Sequence, residues 1–416
     1  MKISINEKKL LGINGFGRIG KLSIWYHLIS RNFDGVVVNV GREVGQSLED
    51  LIQVIRTDST YGSIHHFLNG YTNKKCNIDI VDREKGIVSI DGFIVKFLRE
   101  ERNPKNINWR DENVRLVVDC TGKFLDPANT NHEKGCLMGH LVAGAQKVIT
   151  SAPFKIKNAS SDDQDNYPTM IYGINHESYN PLHHHIISAA SCTTTGLAHM
   201  IKPLLEDKET ANVLTASLST VHAATNTQSV LDSVPSSGAK DLRKNRSVLN
   251  NIILSSTGAA KTLEKVIPQI KSFGFMADSI RIPTTSVSLI ALNITFNSRL
   301  NENGVPYINA DYIKNIYKTA AQGAQKDLLY FSSKQNVSLD LLGYPAAIVI
   351  EGNEIHTRTG FLTINTDILA SLGIINIQEA NIPVTHAKIM GWYDNEYGSY
   401  VNSLGKLTEY VASNIE

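Results

Sequence analysis

One cysteine of the chain, Cys192, stands in the stretch SAASCTTTGLAHM (188–200), after small residues and at the head of a threonine run. The pattern that follows is helical, with apolar positions at Leu197, Ile201, Leu204 and Leu205. A thiol at a helix N-terminus is drawn toward the thiolate by the backbone dipole, and the thiolate is the nucleophile. Such a thiol calls for a base. His222, in STVHAATNT at the end of a β-branched run, is the candidate, because a Cys–His pair both activates the sulfur and supplies an acid/base. A buried structural cysteine beside a distant histidine would read the same way. These two residues alone leave both roles open.

Other residues narrow the chemistry. SSTGAAKTLEKV (255–266) places hydroxyls and a glycine amide at the start of a helical pattern, a cradle suited to phosphate. Arg243, Arg246 and Arg281 are further phosphate candidates, since a guanidinium grips phosphate with two parallel hydrogen bonds; for Arg246 the preferred reading is a loop clamp. Near the start, Gly15-Phe16-Gly17-Arg18-Ile19-Gly20 lies between an apolar strand (Leu10–Ile13) and a helical pattern, and a second strand (Val36–Val40) follows. That order is the setting the dinucleotide fingerprint requires, in which glycines let the backbone approach a pyrophosphate at a helix N-terminus. A dinucleotide domain, a thiol and phosphate-binding groups together point to oxidation of a phosphorylated aldehyde.

The elements that must position these residues fall into two groups. NVRLVVDCTG (113–122) and AQKVITSAP (145–153) read as buried parallel strands whose ends line a ligand crevice. The polar run KIKNASSDDQDNY between Pro153 and Pro168 reads as an exposed loop. Beyond Cys192, VLTASLSTVHA, SIRIPTTSVSLIALNITFN and GFLTINTDIL are strand-like segments separated by long loops. The fold class expected is α/β, a Rossmann-type doubly wound parallel sheet plus an α+β domain with a mainly antiparallel sheet. The expected boundaries are a dinucleotide-binding domain over 1–191, with a C-terminal helix (395–416) packing back on it, and a catalytic domain over 192–394.

Composition sets the outer limits. The chain has 416 residues and a formal net charge of +1, without the basic excess that a nucleic-acid or membrane-surface protein would show. No apolar run is long enough for a membrane span, and the start lacks the apolar core of a signal peptide. Cys76, Cys120, Cys136 and Cys192 have neither disulfide nor zinc spacing, which favours a reducing, cytoplasmic setting. His183, His184 and His185 are adjacent, so they alternate in direction and do not converge on one ion. No metal is expected. Trp392 reads as packing, and Lys240, Asp241 and Lys244 as a solvated charged face.

The motifs INGFGRIG, SCTT, TVHA.TN.Q, SSTGAAK, RIPT and GWYDNEYG occur here in the order found in the phosphorylating glyceraldehyde-3-phosphate dehydrogenase family, and the resemblance covers nearly the whole chain. It implies Cys192 as nucleophile and His222 as acid/base. It also implies Ser191, Thr193, Arg243, Thr257 and Gly258 at the attacking inorganic phosphate, and Thr225 and Arg281 at the substrate phosphate. Gly15, Gly17, Arg18, Ile19, Arg102, Thr121 and Ser151 match cofactor positions, and Asn395 matches the asparagine that orients the nicotinamide carboxamide. A homotetramer acting on a small-molecule substrate is implied too. An erythrose 4-phosphate dehydrogenase and a non-catalytic binding protein on the same scaffold are the alternatives. The chain is longer than the family pattern, with surplus near Cys76, around Asp162 and after Asn301.

Three departures stand out. Where the family carries a ribose-binding aspartate, this chain has Val40, followed by Gly41 and Arg42. A missing carboxylate no longer repels a 2′-phosphate, so the cofactor expected is NAD or NADP, with dual use or an NADP preference and Arg42 as a contact. Thr195-Gly196 replaces asparagine and cysteine behind the nucleophile. Finally, GSYVN places a serine between Gly398 and Tyr400, where many relatives have tyrosine directly after glycine. Either the register shifts by one there, or the contact changes.

Overall fold

This computed structural model describes residues 8–99, 101–156, 163–374 and 379–415. The chain divides into two compact units, Met1–Cys192 with Glu396–Glu416, and Thr193–Asn395.

The first unit is built on a sheet of strands β1 (Leu10–Asn14), β2 (Gly35–Asn39), β5 (Ile78–Asp82), β6 (Ile87–Ile90), β7 (Phe93–Leu98), β8 (Val114–Asp119), β9 (Lys147–Thr150) and β10 (Ile186–Ser188). A separate small hairpin joins β3 (Thr57–Asp58) to β4 (Gly62–Ser63). The sheet order is β10-β9-β8-β1-β2-β7-β6-β5. It is parallel from β10 to β7, and only the edge pairs β7–β6 and β6–β5 are antiparallel. Parallel strands are covered on both faces, and β1 and β2 are accordingly buried throughout. Leu11, Ile13, Val36 and Val38 pack on one face with Leu22, Trp25, Leu404 and Leu407, while Leu10, Val37 and Val117 pack with Trp109 on the other. The order reverses beside β1, the switch point at which a doubly wound sheet opens its ligand crevice.

In the second unit β11 (Val213–Ala223), β12 (Ile253–Ser256), β13 (Gly274–Ile282), β14 (Ser288–Asn297), β15 (Leu329–Ser332), β16 (Ile348–Glu351), β17 (His356–Asn365) and β18 (Glu379–Tyr393) form one sheet. Its order is β12-β13-β11-β14-β18-β16-β15, with β17 paired to β18. Most pairs are antiparallel; β11–β13 and β15–β16 are parallel. β14 shows the expected alternation, with Ile290, Leu292, Ile294 and Phe296 buried and the residues between them half-exposed.

Several local expectations are refined. The C-terminal helix runs over Asn402–Ser413, and a π-turn (Tyr397–Val401) precedes it. Cys76 and Cys136 lie in loops yet are buried. Of the polar run after Pro153, residues 157–162 lie outside the described residues, and Asp163–Asn166 forms one helical turn. His184 accepts from the Asn180 amide, whereas His185 lies 3.3 Å from the Lys147 amine, so these neighbours do face different partners.

Candidate active site

In the first unit the glycine turn links β1 to the helix Arg18–Ser30. Its three glycines do three different things. Gly15 has φ +102°, and a Cβ there would lie 3.1 Å from the Thr121 amide nitrogen. A Cβ at Gly20 would lie within 1.9 Å of the Gly15 carbonyl oxygen, so only glycine lets the helix pack on the turn. A Cβ at Gly17 would meet nothing within 4 Å, which leaves an open face above the helix N-terminus. Tight turn, close packing and open approach are what a bound pyrophosphate requires, so these residues fit a dinucleotide.

A buried polar chain fixes the strand ends around that turn. Asp119, at the end of β8, accepts from Asn14 Nδ2 at 2.8 Å, from Thr121 Oγ1 at 2.6 Å and from the Thr121 amide at 3.0 Å. Asn39 Nδ2 in turn donates to Asn14 Oδ1 at 2.8 Å. Trp109 Nε1 donates to His140 Nδ1 at 2.9 Å. That nitrogen therefore carries no proton, and Nε2 presents its hydrogen to Asp119 Oδ2 at 3.1 Å. Thr121 is thus held by a carboxylate from below. Ser151 lies one strand away, its amide bonded to the Asp119 carbonyl.

The other expected cofactor residues are placed as follows. Ile19 sits in the first helical turn, its carbonyl accepting from Ser23 Oγ. The Arg18 guanidinium is engaged by Asp58 and by Glu396 rather than open to a ligand. Burial opposes charge on both Arg18 and Asp58. The hydrogen-bonded pairing prevails, so Arg18 stays firmly protonated and Asp58, which Lys21 also contacts, lies well below the usual carboxylate range. Arg102 Nε donates to the Gly41 carbonyl at 3.0 Å and so braces the turn after β2. Gly41 has φ +67°, and a Cβ there would press on the Glu101 carbonyl at 3.1 Å. Arg42 is exposed.

Cys192 opens the fifteen-residue helix Cys192–Glu206, four residues beyond the end of β10. It is half-buried, as is Ser191. The departures at 195 and 196 have a packing basis. Thr195 is buried, and a Cβ on Gly196 would stand 3.3 Å from both the Ala347 carbonyl oxygen and Ile348 Cδ1.

In the second unit the end of β11 carries His222 and the parallel neighbour β13 carries Arg281, paired in register. Arg281 Nη1 lies 2.6 Å from His222 Nδ1, and the same nitrogen lies 2.7 Å from the Ala223 carbonyl. Nδ1 cannot both accept from the arginine and donate to the carbonyl. With the proton on Nδ1, directed at Ala223, Nε2 keeps its lone pair as a base. His222 is 4% exposed. Burial first, then the Arg281 charge, lower its pKa to about 4. Ser288 Oγ accepts from the Ala223 amide at 3.0 Å and donates to Asn395 Oδ1 at 2.8 Å, which presents Asn395 through its Nδ2 hydrogens.

Two residues that sequence reasoning did not single out hold this end together: Ser288 and Tyr393. The Tyr393 hydroxyl lies 2.9 Å from Thr193 Oγ1 and 2.7 Å from Thr220 Oγ1, with its ring edge-to-face against His222. Tyr393 belongs to the GWYDNEYG stretch, so motif position was the available signal. Ser288 gave none, being one serine in an alternating strand.

Several expected phosphate ligands make contacts close to themselves in the chain. Thr225 bonds Gln228 and Thr227, and Thr257 Oγ1 receives the Ala259 amide at the helix start beside Gly258. Arg243 is exposed and bonded to Asp241 at 2.8 Å, so that aspartate is an anchor for it rather than a merely solvated charge. Arg246 clamps its loop through Asp232. Trp392 packs beside Val349 and donates to Glu351 Oε2 at 3.0 Å.

Comparisons with known proteins match this arrangement to one family. Residues 9–127 match the NAD binding domain of glyceraldehyde 3-phosphate dehydrogenase, and residues 191–395 match its C-terminal domain. The chain is 32% identical over 403 residues to glyceraldehyde-3-phosphate dehydrogenase 1 of Bacillus cereus, covering 97% of this chain and 98% of the relative. It is also 32% identical over 412 residues to the cytosolic glyceraldehyde-3-phosphate dehydrogenase of Chlamydomonas reinhardtii, with 98% of each chain covered. The Bacteroides fragilis enzyme of the same name is 32% identical over 403 residues, covering 97% of this chain and 99% of the relative. The chain is a member of the glyceraldehyde-3-phosphate dehydrogenase family of oxidoreductases.

Proposed function

We propose that this chain is a phosphorylating D-glyceraldehyde 3-phosphate dehydrogenase, with Cys192 as nucleophile and His222 as acid/base. The observation that carries the proposal is the placement of Cys192 at the head of the long helix that leaves the carboxyl end of the dinucleotide-type sheet. The nicotinamide cofactor supplies a hydride acceptor when bound; the rest of the chemistry falls to side chains. The Cys192 thiolate adds to the aldehyde carbon to give a thiohemiacetal. His222 Nε2 takes the hydroxyl proton as hydride departs, leaving a thioester on Cys192. Inorganic phosphate attacks the thioester carbon, the C–S bond breaks, and the acyl phosphate leaves with the thiolate restored. Protonated His222 donates to the developing oxyanion in that second step.

Arg281 and Thr225 are the proposed ligands of the substrate phosphate. Ser191, Thr193, Arg243, Thr257 and Gly258 are those of the attacking phosphate. Asn395 serves the carboxamide, and Gly15, Gly17, Ile19, Thr121 and Ser151 line the cofactor. Arg18 and Arg102 act by bracing, given the bonds each makes within its own unit. Val40 with exposed Arg42 supports use of both NAD and NADP, with a lean to NADP. The working assembly is a homotetramer in the cytoplasm. A steady-state matrix tests this: glyceraldehyde 3-phosphate and erythrose 4-phosphate, NAD and NADP, with and without inorganic phosphate. Turnover that favours the four-carbon aldehyde, or that ignores phosphate, would replace this reading. Undetectable activity with NADP would remove its cofactor clause.

A further inference from the structure

Ser399 and Tyr400 lie inside the π-turn that leads into the C-terminal helix. The Val401 amide donates to the Glu396 carbonyl at 2.9 Å, a five-residue step, and the chain then continues as the helix Asn402–Ser413. Single π-turns of this kind concentrate at functional sites. This one carries Tyr400 into the core of the first unit, where the ring is 4% exposed and the hydroxyl donates to the Ala190 carbonyl at 3.3 Å.

Ala190 is no ordinary acceptor. It is fully buried and has φ +56°, in the left-handed region that a residue with a Cβ rarely adopts. It belongs to the turn that leads from β10 to Cys192. That turn is pinned on its entry side by Ser188 Oγ, which donates to the Ala152 carbonyl and receives the Ala190 amide at 3.1 Å. On its exit side, next to Ser191 and Cys192, the pin is the Tyr400 hydroxyl.

The geometry points to Tyr400 as a positioning residue for Cys192, its hydroxyl holding the Ala190 carbonyl so that the strained turn presents the thiol in one orientation. The inference rests on Cys192 being the reactive thiol. The titratable groups that face the phenol are Cys192 and Cys120. Burial first, and these two thiols next, keep the phenol protonated far above its ordinary range. Cys120 is itself pushed up to about 12 by burial and by Asp119. The hydroxyl therefore remains a neutral donor wherever the thiol of Cys192 titrates.

The test is the second-order rate of Cys192 alkylation by iodoacetamide from pH 5 to 10, read by mass spectrometry at that residue, so no substrate needs to be assumed. Tyr400→Phe keeps the ring and removes the donor. The expected result is a three- to tenfold slower rate at neutral pH, about what one neutral hydrogen bond commands, with the pH midpoint moved upward. Tyr26→Phe, which also removes a buried phenol of the first unit, should leave both rate and midpoint within twofold of the parent. Ala190→Gly relieves the left-handed backbone, so it supplies a background in which loss of the hydroxyl is tolerated should Tyr400→Phe not fold alone. In that background the hydroxyl should matter at least as much, because a glycine turn is looser. Rate and midpoint unchanged on losing the hydroxyl, in either background, would overturn the inference. A parent Cys192 that reacts no faster than a simple thiol would instead bring down the assignment of Cys192 on which it rests.

Discussion

Arg281 and His222 stand in register on parallel neighbours, and replacing the arginine should change the basicity of the histidine by a calculable amount. Two unit charges about 4 Å apart interact by about 4 kcal/mol at an effective dielectric of about 20, and that sets the ceiling. Burial is the larger cause of the fall from 6.5 to about 4, with the arginine charge second and the Ala223 hydrogen bond working the other way. Arg281→Gln, which keeps a donor and removes the charge, should therefore raise the His222 pKa by about one, worth about 1.4 kcal/mol between the two protonation states. The assay is an NMR titration of protein labelled at histidine Cε1, with His222→Asn identifying the resonance. A midpoint in Arg281→Gln that coincides with the parent, or falls below it, would refute the electrostatic coupling. It would mean that the Ala223 carbonyl and burial alone set the state of the ring.

Other consequences can be measured separately. Because His222 and His27 have folded pKa values lowered to about 4 and about 3, the unfolded chain takes up their protons first as pH falls. Their contribution is complete above pH 6.5 and is lost as pH falls toward those values; His222 alone accounts for about 3 kcal/mol. Urea melts between pH 7 and 4 should show this slope, and a flat profile would contradict it. His140→Ala leaves the Trp109 indole N–H buried without its acceptor and opens a cavity, so it should cost about 3 kcal/mol in the same melts. Gly405→Ala would bring a Cβ to 2.1 Å from the Tyr26 ring and should cost about 1–3 kcal/mol, with loss confined to stability. Val40→Asp restores a ribose acceptor and a charge that repels a 2′-phosphate, so the ratio of kcat/KM for NAD over NADP should rise about tenfold or more.

What the sequence made legible was what repeats or punctuates. The strand-glycine-helix-strand order around Gly15 and Gly20 announced the first sheet, since only glycine meets the turn and packing constraints found at those two positions. The alternation along 288–297 announced β14 in the same way. Side-chain destinations were less legible, because they depend on partners far away in the chain. Arg18 reads as a ligand group by its place in the fingerprint, yet Asp58 and Glu396 claim its guanidinium. Tyr393 reads as part of a motif, but its link from Thr193 to Thr220 spans three separate segments. The Ser399-Tyr400 order posed a question of register that spacing could not answer. The structure has a π-turn there and buries Tyr400, and a π-turn is visible only in the hydrogen-bond pattern.

The most direct test of the central claim is a rapid-mixing measurement of reduced cofactor when enzyme meets glyceraldehyde 3-phosphate and NAD or NADP without inorganic phosphate. The expected result is a burst of about one reduced cofactor per Cys192, then near-arrest at the thioester until phosphate is added. Cys192→Ser should show no burst. A chain that shows no burst, or that turns over at the same rate with and without phosphate, would contradict the assignment of Cys192 as the nucleophile of a phosphorylating dehydrogenase.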